Sequence, residues 1–272
     1  MARAALRIRG LQVLRGIAAC AVVYSHAYRR AERSWAADIG SSLVDPIRPV
    51  TQLGHFGVDL FFILSGFLMM HLHRDAFGAS GAPIEFLRRR LKRIVPLYWF
   101  LSALGLALLW LAPALFTYHT EIEWRWVLGC FAFVPWPMAD GFSEPIIGAG
   151  WTLEYEMYFY VLFTLALIFS EGFIALCSVL LGSVLLGLLL DPHHPWLKLL
   201  TGPLLIEFLF GMLVALTVHR LPRRWVPALM TLAISAIALG EHNPIRAPGT
   251  DPRVVLGHTV RRAVGVHGHP WI

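Results

Sequence analysis

The feature that most limits what this chain can fold into is a recurring apolar window of nearly constant length. Runs at 10–28, 54–73, 95–117, 151–169, 172–190, 199–218 and 225–240 carry few charges, and each lies near the roughly 20 residues an α-helix needs to cross a bilayer. The expectation is an all-α, polytopic membrane helix bundle of about seven transmembrane helices. Composition agrees, because only 15% of the residues are charged and 57% are hydrophobic, against about 25% charged in a soluble domain. A further run from Trp124 to Trp136 contains Arg125 and ends in Pro135-Trp136-Pro137. It is too short to cross, so the region near 122–137 reads as an interfacial or re-entrant segment.

A net charge of +6 could suggest a nucleic-acid partner. The basic residues instead cluster beside apolar spans, without an exposed face of interleaved aromatics, and nucleic acid is not expected. The positive-inside rule explains them better. It places the N-terminal Arg3, Arg7 and Arg9 in the cytoplasm, together with the cluster Arg88, Arg89, Arg90, Lys92, Arg93 and the group Arg220, Arg223, Arg224. The second and third spans then flank an Arg88-to-Arg93 loop. Arg29, Arg30, Arg33 and Arg48 fall in the first external loop and obey the rule imperfectly. Arg15 interrupts the first apolar run too early for a cleaved signal peptide, so an uncleaved span is expected there. Cys20, Cys130 and Cys177 are scattered in apolar surroundings and read as packing residues, not as a disulfide framework or a metal site. His193 and His194 share a short loop and are a weak metal signal; no metal site is expected.

Ionisable residues inside such windows need a reason, since a charge at mid-bilayer is disfavoured by roughly 3 kcal/mol even on a lenient scale. Arg15 and His26 stand in the first window, Asp59 in GVDLFFILSGF, and Glu154 and Glu156 in WTLEYEMYFY. Arg15 and His26 are three helical turns apart, roughly 16 Å, on nearly one face. Glu154 and Glu156 are two apart and point in nearly opposite directions, so one of them is expected to enter a polar interior. The topology sets His26, Asp59 and the glutamate pair in the outer halves of their helices, with Arg15 deeper. Ser65-Gly66 reads as close helix packing through small residues, because no strand or Gly-x-Ser-x-Gly elbow surrounds it. The aromatics from Trp151 to Tyr160 read as an interfacial belt, with Trp151 the exception that could stack on a sugar ring.

Four segments in this order, LRGIAACAVVYSHA, GHFGVDLFFILSGF, RRLKRIVPLYW and GWTLEYEMYFY, resemble the acyltransferase 3 family, and its exopolysaccharide-production branch most closely. The likeness covers approximately residues 9 to 165. It implies a bacterial inner-membrane enzyme, N-terminus in the cytoplasm, that moves an acyl group, usually acetyl, from cytoplasmic acyl-CoA to a hydroxyl of an extracytoplasmic polysaccharide or lipid-linked sugar. Acetyl-CoA would be a donor substrate, and no cofactor would be bound permanently. By resemblance His26 matches the essential histidine and Arg15 the arginine of the Arg-x10-His pair. Arg89, Arg90 and Arg93 match the basic motif ahead of Pro96, and Glu156 the usual glutamate, while Glu154 sits where the family varies.

Residue chemistry is consistent with those roles. An imidazole is the side chain best suited to deprotonate a hydroxyl near neutral pH, and His26 could equally carry the acyl group in transit. Asp59 and Glu156 compete to orient His26, with a helix-start dipole partner as the plainer account of Asp59. Clustered guanidiniums suit the phosphates of coenzyme A, although a cytoplasmic basic cluster also meets anionic lipid. Trp151 and Glu154 are the candidate substrate contacts.

Two other functions fit intramembrane charges: a proton-coupled transporter, against which no inverted repeat is visible, and an inactive remnant. The family has about ten spans and this chain supplies seven windows of crossing length. From Glu241 to Ile272 it turns polar, with Pro244, Pro248, Pro252 and Pro270. The expected organisation is therefore a membrane acyltransferase domain over 1–240 and a tail over 241–272 of doubtful native character, a truncated or frame-shifted reading of a longer gene. Oligomeric state is not legible.

Overall fold

The computed structural model describes residues 11–27, 53–112, 122–138 and 144–217. The window at 225–240, the three basic residues Arg220, Arg223 and Arg224, the N-terminal arginines, the first external loop and the tail lie outside the described residues. Along the chain run α1 (Leu11–Ala27), α2 (Leu53–His73), α3 (Ala82–Leu111), α4 (Trp124–Ala132), α5 (Trp151–Ala166), α6 (Gly172–Leu190), α7 (Pro195–Thr201) and α8 (Leu205–Thr217), with short 3-10 turns at Arg74–Ala76 and Gly148–Gly150. Among the described residues there is no strand. The polytopic helical bundle is thus present. Among the described residues, four segments are long and apolar enough to cross a membrane: Phe56–Ala76, Ala82–Leu111, Gly172–Leu190 and Pro195–Thr217. α5, at 16 residues, spans only about 24 Å at 1.5 Å per residue.

Two boundaries differ from the sequence expectation. The Arg88-to-Arg93 cluster is not a loop: α3 begins at Ala82 and carries the cluster on its second to fourth turns. A start signal was present, with Pro83 in the first turn and Glu85 beside the positive end of the helix dipole. Arginine, lysine and leucine are strong helix formers, so the helix continues through the basic stretch that a hydropathy window excludes. The second difference is in the 199–218 window. There α7 stops at Thr201 because Gly202, ahead of Pro203, is extended at ψ 143°, as a residue before proline prefers; α8 then resumes at Leu205.

α4 keeps to the expected short segment. Its nine residues end at Ala132 and are capped by Phe133, which adopts a left-handed φ of 58°, and the chain turns back through a hydrogen bond from Val134 N–H to the Gly129 carbonyl. Trp99 Nε1 of α3 donates to Phe131 O at 2.9 Å, and Trp126 Nε1 donates to Glu144 O at 2.9 Å. Cys130 packs there with Trp126 and Met138, and burial pushes its thiol up to about 11, which suits a packing residue and not a thiolate.

The core is formed mainly by α2, α5, α6 and α8. Phe159 stacks on Phe208 at 4.2 Å between ring centroids, and Phe208 also meets Phe62 at 4.9 Å. α2 and α8 approach most closely, backbone to backbone, at Gly66 and Gly211, which agrees with reading the Ser65-Gly66 region as small-residue packing. Outward-facing leucines such as Leu185, Leu189 and Leu190 are exposed, as helix faces turned to lipid would be.

Candidate active site

α1, α2, α3 and α5 enclose one cavity of about 210 Å3, and charged side chains from three of these helices line it. α1 contributes Arg15 and His26, α3 contributes Arg90 and Arg93, and α5 contributes Glu156 and Tyr160. α2 supplies an apolar wall, Val58, Phe61, Phe62 and Leu64, interrupted by Ser65. Helical geometry explains each pairing. Arg15 and His26 share a face three turns apart, and Arg90 and Arg93 repeat at i, i+3. Glu156 and Tyr160 repeat at i, i+4.

The basic cluster therefore divides. Arg90 and Arg93 turn to the cavity, while Arg89 points outward and pairs with Glu85 one turn earlier on an exposed face. Arg90 is tied down by aromatic rings: its Cζ lies 5.4 Å from the Phe86 centroid and 5.7 Å from that of Tyr160. Cation–π contact of this kind holds a guanidinium without a carboxylate. Glu156 is anchored at one oxygen, since Ser65 Oγ donates to its Oε1 at 3.0 Å and the Tyr160 hydroxyl donates to the same atom.

Of the sequence candidates, His26, Arg15, Arg90, Arg93 and Glu156 meet in this cavity; Asp59, Arg89, Trp151 and Glu154 do not line it. Asp59 was expected to compete with Glu156 to orient His26. It is buried at 3% exposure in α2, but Val58, Phe61 and Phe62 hold the cavity face and the 100° step per residue carries Asp59 off it. Trp151 and Glu154 line a separate cleft of about 20 Å3 with Tyr155, Pro195 and Leu199. There the Tyr155 hydroxyl donates to Lys198 O at 3.2 Å and Trp151 meets Tyr155 edge-on. The expected split of the two glutamates thus holds, with Glu156 in the charged cavity and Glu154 buried on the far side of α5. Sequence reasoning missed Tyr160 and the polar part played by Ser65. The i, i+4 spacing of Glu156 and Tyr160 was the available signal for the first; nothing in the sequence pairs Ser65 with a helix some 90 residues away.

The cavity can do three things chemically. It can accept or release a proton at His26, hold negative charge against three guanidiniums, and keep one carboxylate in a fixed orientation. Its volume is below the roughly 300 Å3 of a typical small-molecule pocket, so it accommodates reacting ends and not whole large substrates.

Comparison with known proteins bears on which chemistry this is. Over residues 8–241 the chain matches the acyltransferase 3 family model, described as an acyltransferase domain. It is 30% identical over 191 residues to the exopolysaccharide production protein ExoZ of Rhizobium meliloti, covering 69% of this chain and 58% of that protein. To nodulation protein 10 of Rhizobium leguminosarum bv. viciae it is 28% identical over 238 residues, covering 78% of this chain and 60% of the relative. A third relative, protein 2 in the picA locus of Rhizobium radiobacter, is 34% identical over 95 residues, 35% of this chain and 41% of that protein. The chain spans less than two thirds of the length of these relatives. No solved structure gives a significant match. With a family model matched over most of its length, and residues of all four motifs lining one cavity, the chain belongs to the acyltransferase 3 family.

Proposed function

We propose that the chain is a membrane O-acyltransferase that moves an acyl group, acetyl in the first instance, from cytoplasmic acyl-CoA to a hydroxyl of an extracytoplasmic polysaccharide or lipid-linked sugar. The observation that carries the reading is the convergence of His26, Glu156 and three arginines from three helices on one cavity. The exopolysaccharide role in the name of one relative supports a glycan acceptor, and the apolar spans support an inner-membrane site with the N-terminus in the cytoplasm.

In this mechanism the His26 imidazole takes the proton of the acceptor hydroxyl as the oxygen attacks the thioester carbonyl carbon. A C–O bond forms, the C–S bond breaks, and the proton on His26 passes to the departing thiolate. His26 thus ends neutral and ready for another cycle. Arg93, with Arg15 and Arg90 behind it, meets the phosphate-bearing donor, since guanidinium forks match phosphate oxygens. Glu156 offsets the positive charge that appears on His26 during transfer, a part that Asp59, outside the cavity lining, does not take.

The test uses membranes containing the full chain, labelled acetyl-CoA and a bacterial exopolysaccharide acceptor. Label should enter the glycan above the level of control membranes; its absence sinks the reading. The arginines give a sharper result. Arg93→Ala should raise KM for acetyl-CoA about tenfold, the scale of one lost charge-assisted contact, while Arg89→Ala should change it less than about twofold, because an exposed ion pair contributes little. Equal effects at the two positions would mean that the basic cluster acts through bulk charge and not through the cavity.

A further inference from the structure

The basic half of α3 is held to the bundle by one side chain. From Ala82 to Leu97 the single buried residue is Phe86, at 1% exposure, and rings from two other helices surround it. His73 at the end of α2 meets it edge-on at 5.0 Å between centroids, Tyr160 of α5 edge-on at 5.9 Å, and Phe163 of α5 at a tilt and 5.0 Å. His73 is fixed in turn, its Nδ1 donating to the Met69 carbonyl at 3.1 Å. Beyond Leu97 the buried positions of α3 are Tyr98, Ser102, Gly105 and Leu109, and Tyr98 lies about a third of a turn around the axis from Phe86. That second face packs elsewhere, Tyr98 on Phe133 and Gly105 beside Ile146. Pro96 stands between the two halves and has no N–H for the Lys92 carbonyl. The direction of the basic half is therefore set where Phe86 is seated.

We propose that Phe86 is a positioning residue of the donor site: its seat among His73, Tyr160 and Phe163 aims Arg90 and Arg93 into the cavity. The proposal rests on the acyl-transfer reading above, in which these arginines meet the phosphates of the donor. Arg90 and Arg93 follow Phe86 at i+4 and i+7, within about 40° of it around the helix axis, so the contact that fixes Phe86 also fixes their direction, and both line the cavity. Arg89, at i+3, faces outward to Glu85. The same rings hold the Arg90 guanidinium, with its Cζ 5.4 Å from the Phe86 centroid and 5.7 Å from that of Tyr160, while its Nε is buried without a hydrogen-bond partner. A carboxylate would hold the guanidinium through the N–H fork that a phosphate needs; ring faces hold it and leave that fork to the ligand.

The test compares two donors, acetyl-CoA and S-acetylpantetheine, with the full chain in membranes. The second carries the same thioester arm and none of the phosphates. Phe86→Leu should raise KM for acetyl-CoA about tenfold, the scale of one lost charge-assisted contact, and should change kcat less than about twofold, the pattern of a lost binding contact. With S-acetylpantetheine its kcat/KM should stay within about twofold of the unmodified protein, because no guanidinium contact to phosphate is at stake. In an Arg90→Ala, Arg93→Ala background, Phe86→Leu should add less than about twofold to KM, since it acts through side chains already removed. This cycle decides alone where S-acetylpantetheine is too poor a donor to measure. Equal losses on both donors, or a full effect in the double-alanine background, would overturn the proposal and leave the acyl-transfer reading standing. Absence of transfer from either donor by the unmodified protein would sink both. Monodisperse elution in detergent qualifies each variant; if Phe86→Leu aggregates, the volume-conserving Phe86→Met is read in its place. Aggregation of both would make Phe86 a core residue only and end the proposal.

Discussion

His26→Ala should abolish acyl transfer while leaving the protein in the membrane at its normal level. The expected loss is about 10²- to 10⁴-fold, the range a positioned general base contributes, and covalent passage of the acyl group through the imidazole would make it larger. Misfolding is not expected to contribute, because the side chain of His26 belongs to an exposed residue at the end of α1 and its truncation opens no buried void. The control is His193→Ala. His193 is also exposed but stands in the turn between α6 and α7, away from the cavity, and its loss should be silent. Radiolabel transfer from acetyl-CoA, normalised to the amount of protein in the membrane, is the measurement. If His26→Ala kept more than about a tenth of the activity, no general-base role would survive.

Much of the cavity was legible before any coordinates, for a simple reason: helices convert sequence spacing into direction. The eleven-residue interval between Arg15 and His26 returns both to one side of α1, and both line the cavity. The two-residue interval between Glu154 and Glu156 turns them apart, and they line different spaces. The same arithmetic could not say which side faces the bundle. Asp59 was therefore kept as a rival of Glu156 for orienting His26, although α2 meets the cavity through Val58 and Phe62, an i, i+4 pair one position out of phase with it. Trp151 and Glu154, the candidate substrate contacts, line the separate cleft and not this cavity.

What hydropathy hid was the upstream end of α3. A scale that scores arginine as a break cannot see that Arg90 and Arg93 continue a helix begun at Ala82. A loop would have offered all five basic residues to solvent alike; a helix sorts them, sending Arg89 to Glu85 and Arg90 to Phe86 and Tyr160. Contacts that join distant segments were beyond the sequence altogether. Ser65 was read as a small packing residue, and its neighbour Gly66 does pack closely, but the bond from Ser65 to Glu156 exists only once α2 and α5 are brought together.

Gly66→Val and Gly211→Val should each cost most of the folded protein. A Cβ at Gly66 would stand 2.1 Å from the Phe208 carbonyl oxygen, and one at Gly211 would stand 2.0 Å from the Ile63 carbonyl oxygen. Attractive contact has its optimum at about 3.5–4.0 Å between carbons. Both obstacles are backbone, so no rotamer change relieves them, and α2 and α8 must separate by more than an ångström along their tightest contact. Separation would open the core at Phe62, Phe159 and Phe208, three rings that touch across it. It would also draw Ser65, the residue beside Gly66, away from Glu156. The fold and the site would fail together, seen as aggregated material on fluorescence-detected size exclusion and loss of transfer activity. Gly182 of α6 is the contrast, since a Cβ there meets nothing within 4 Å. Gly182→Ala should be neutral, or stabilising by up to about 1 kcal/mol, because alanine is the better helix former. Monodisperse, active Gly66→Val protein would show that α2 and α8 do not approach backbone to backbone, and the placement of Ser65 against Glu156 would go with it.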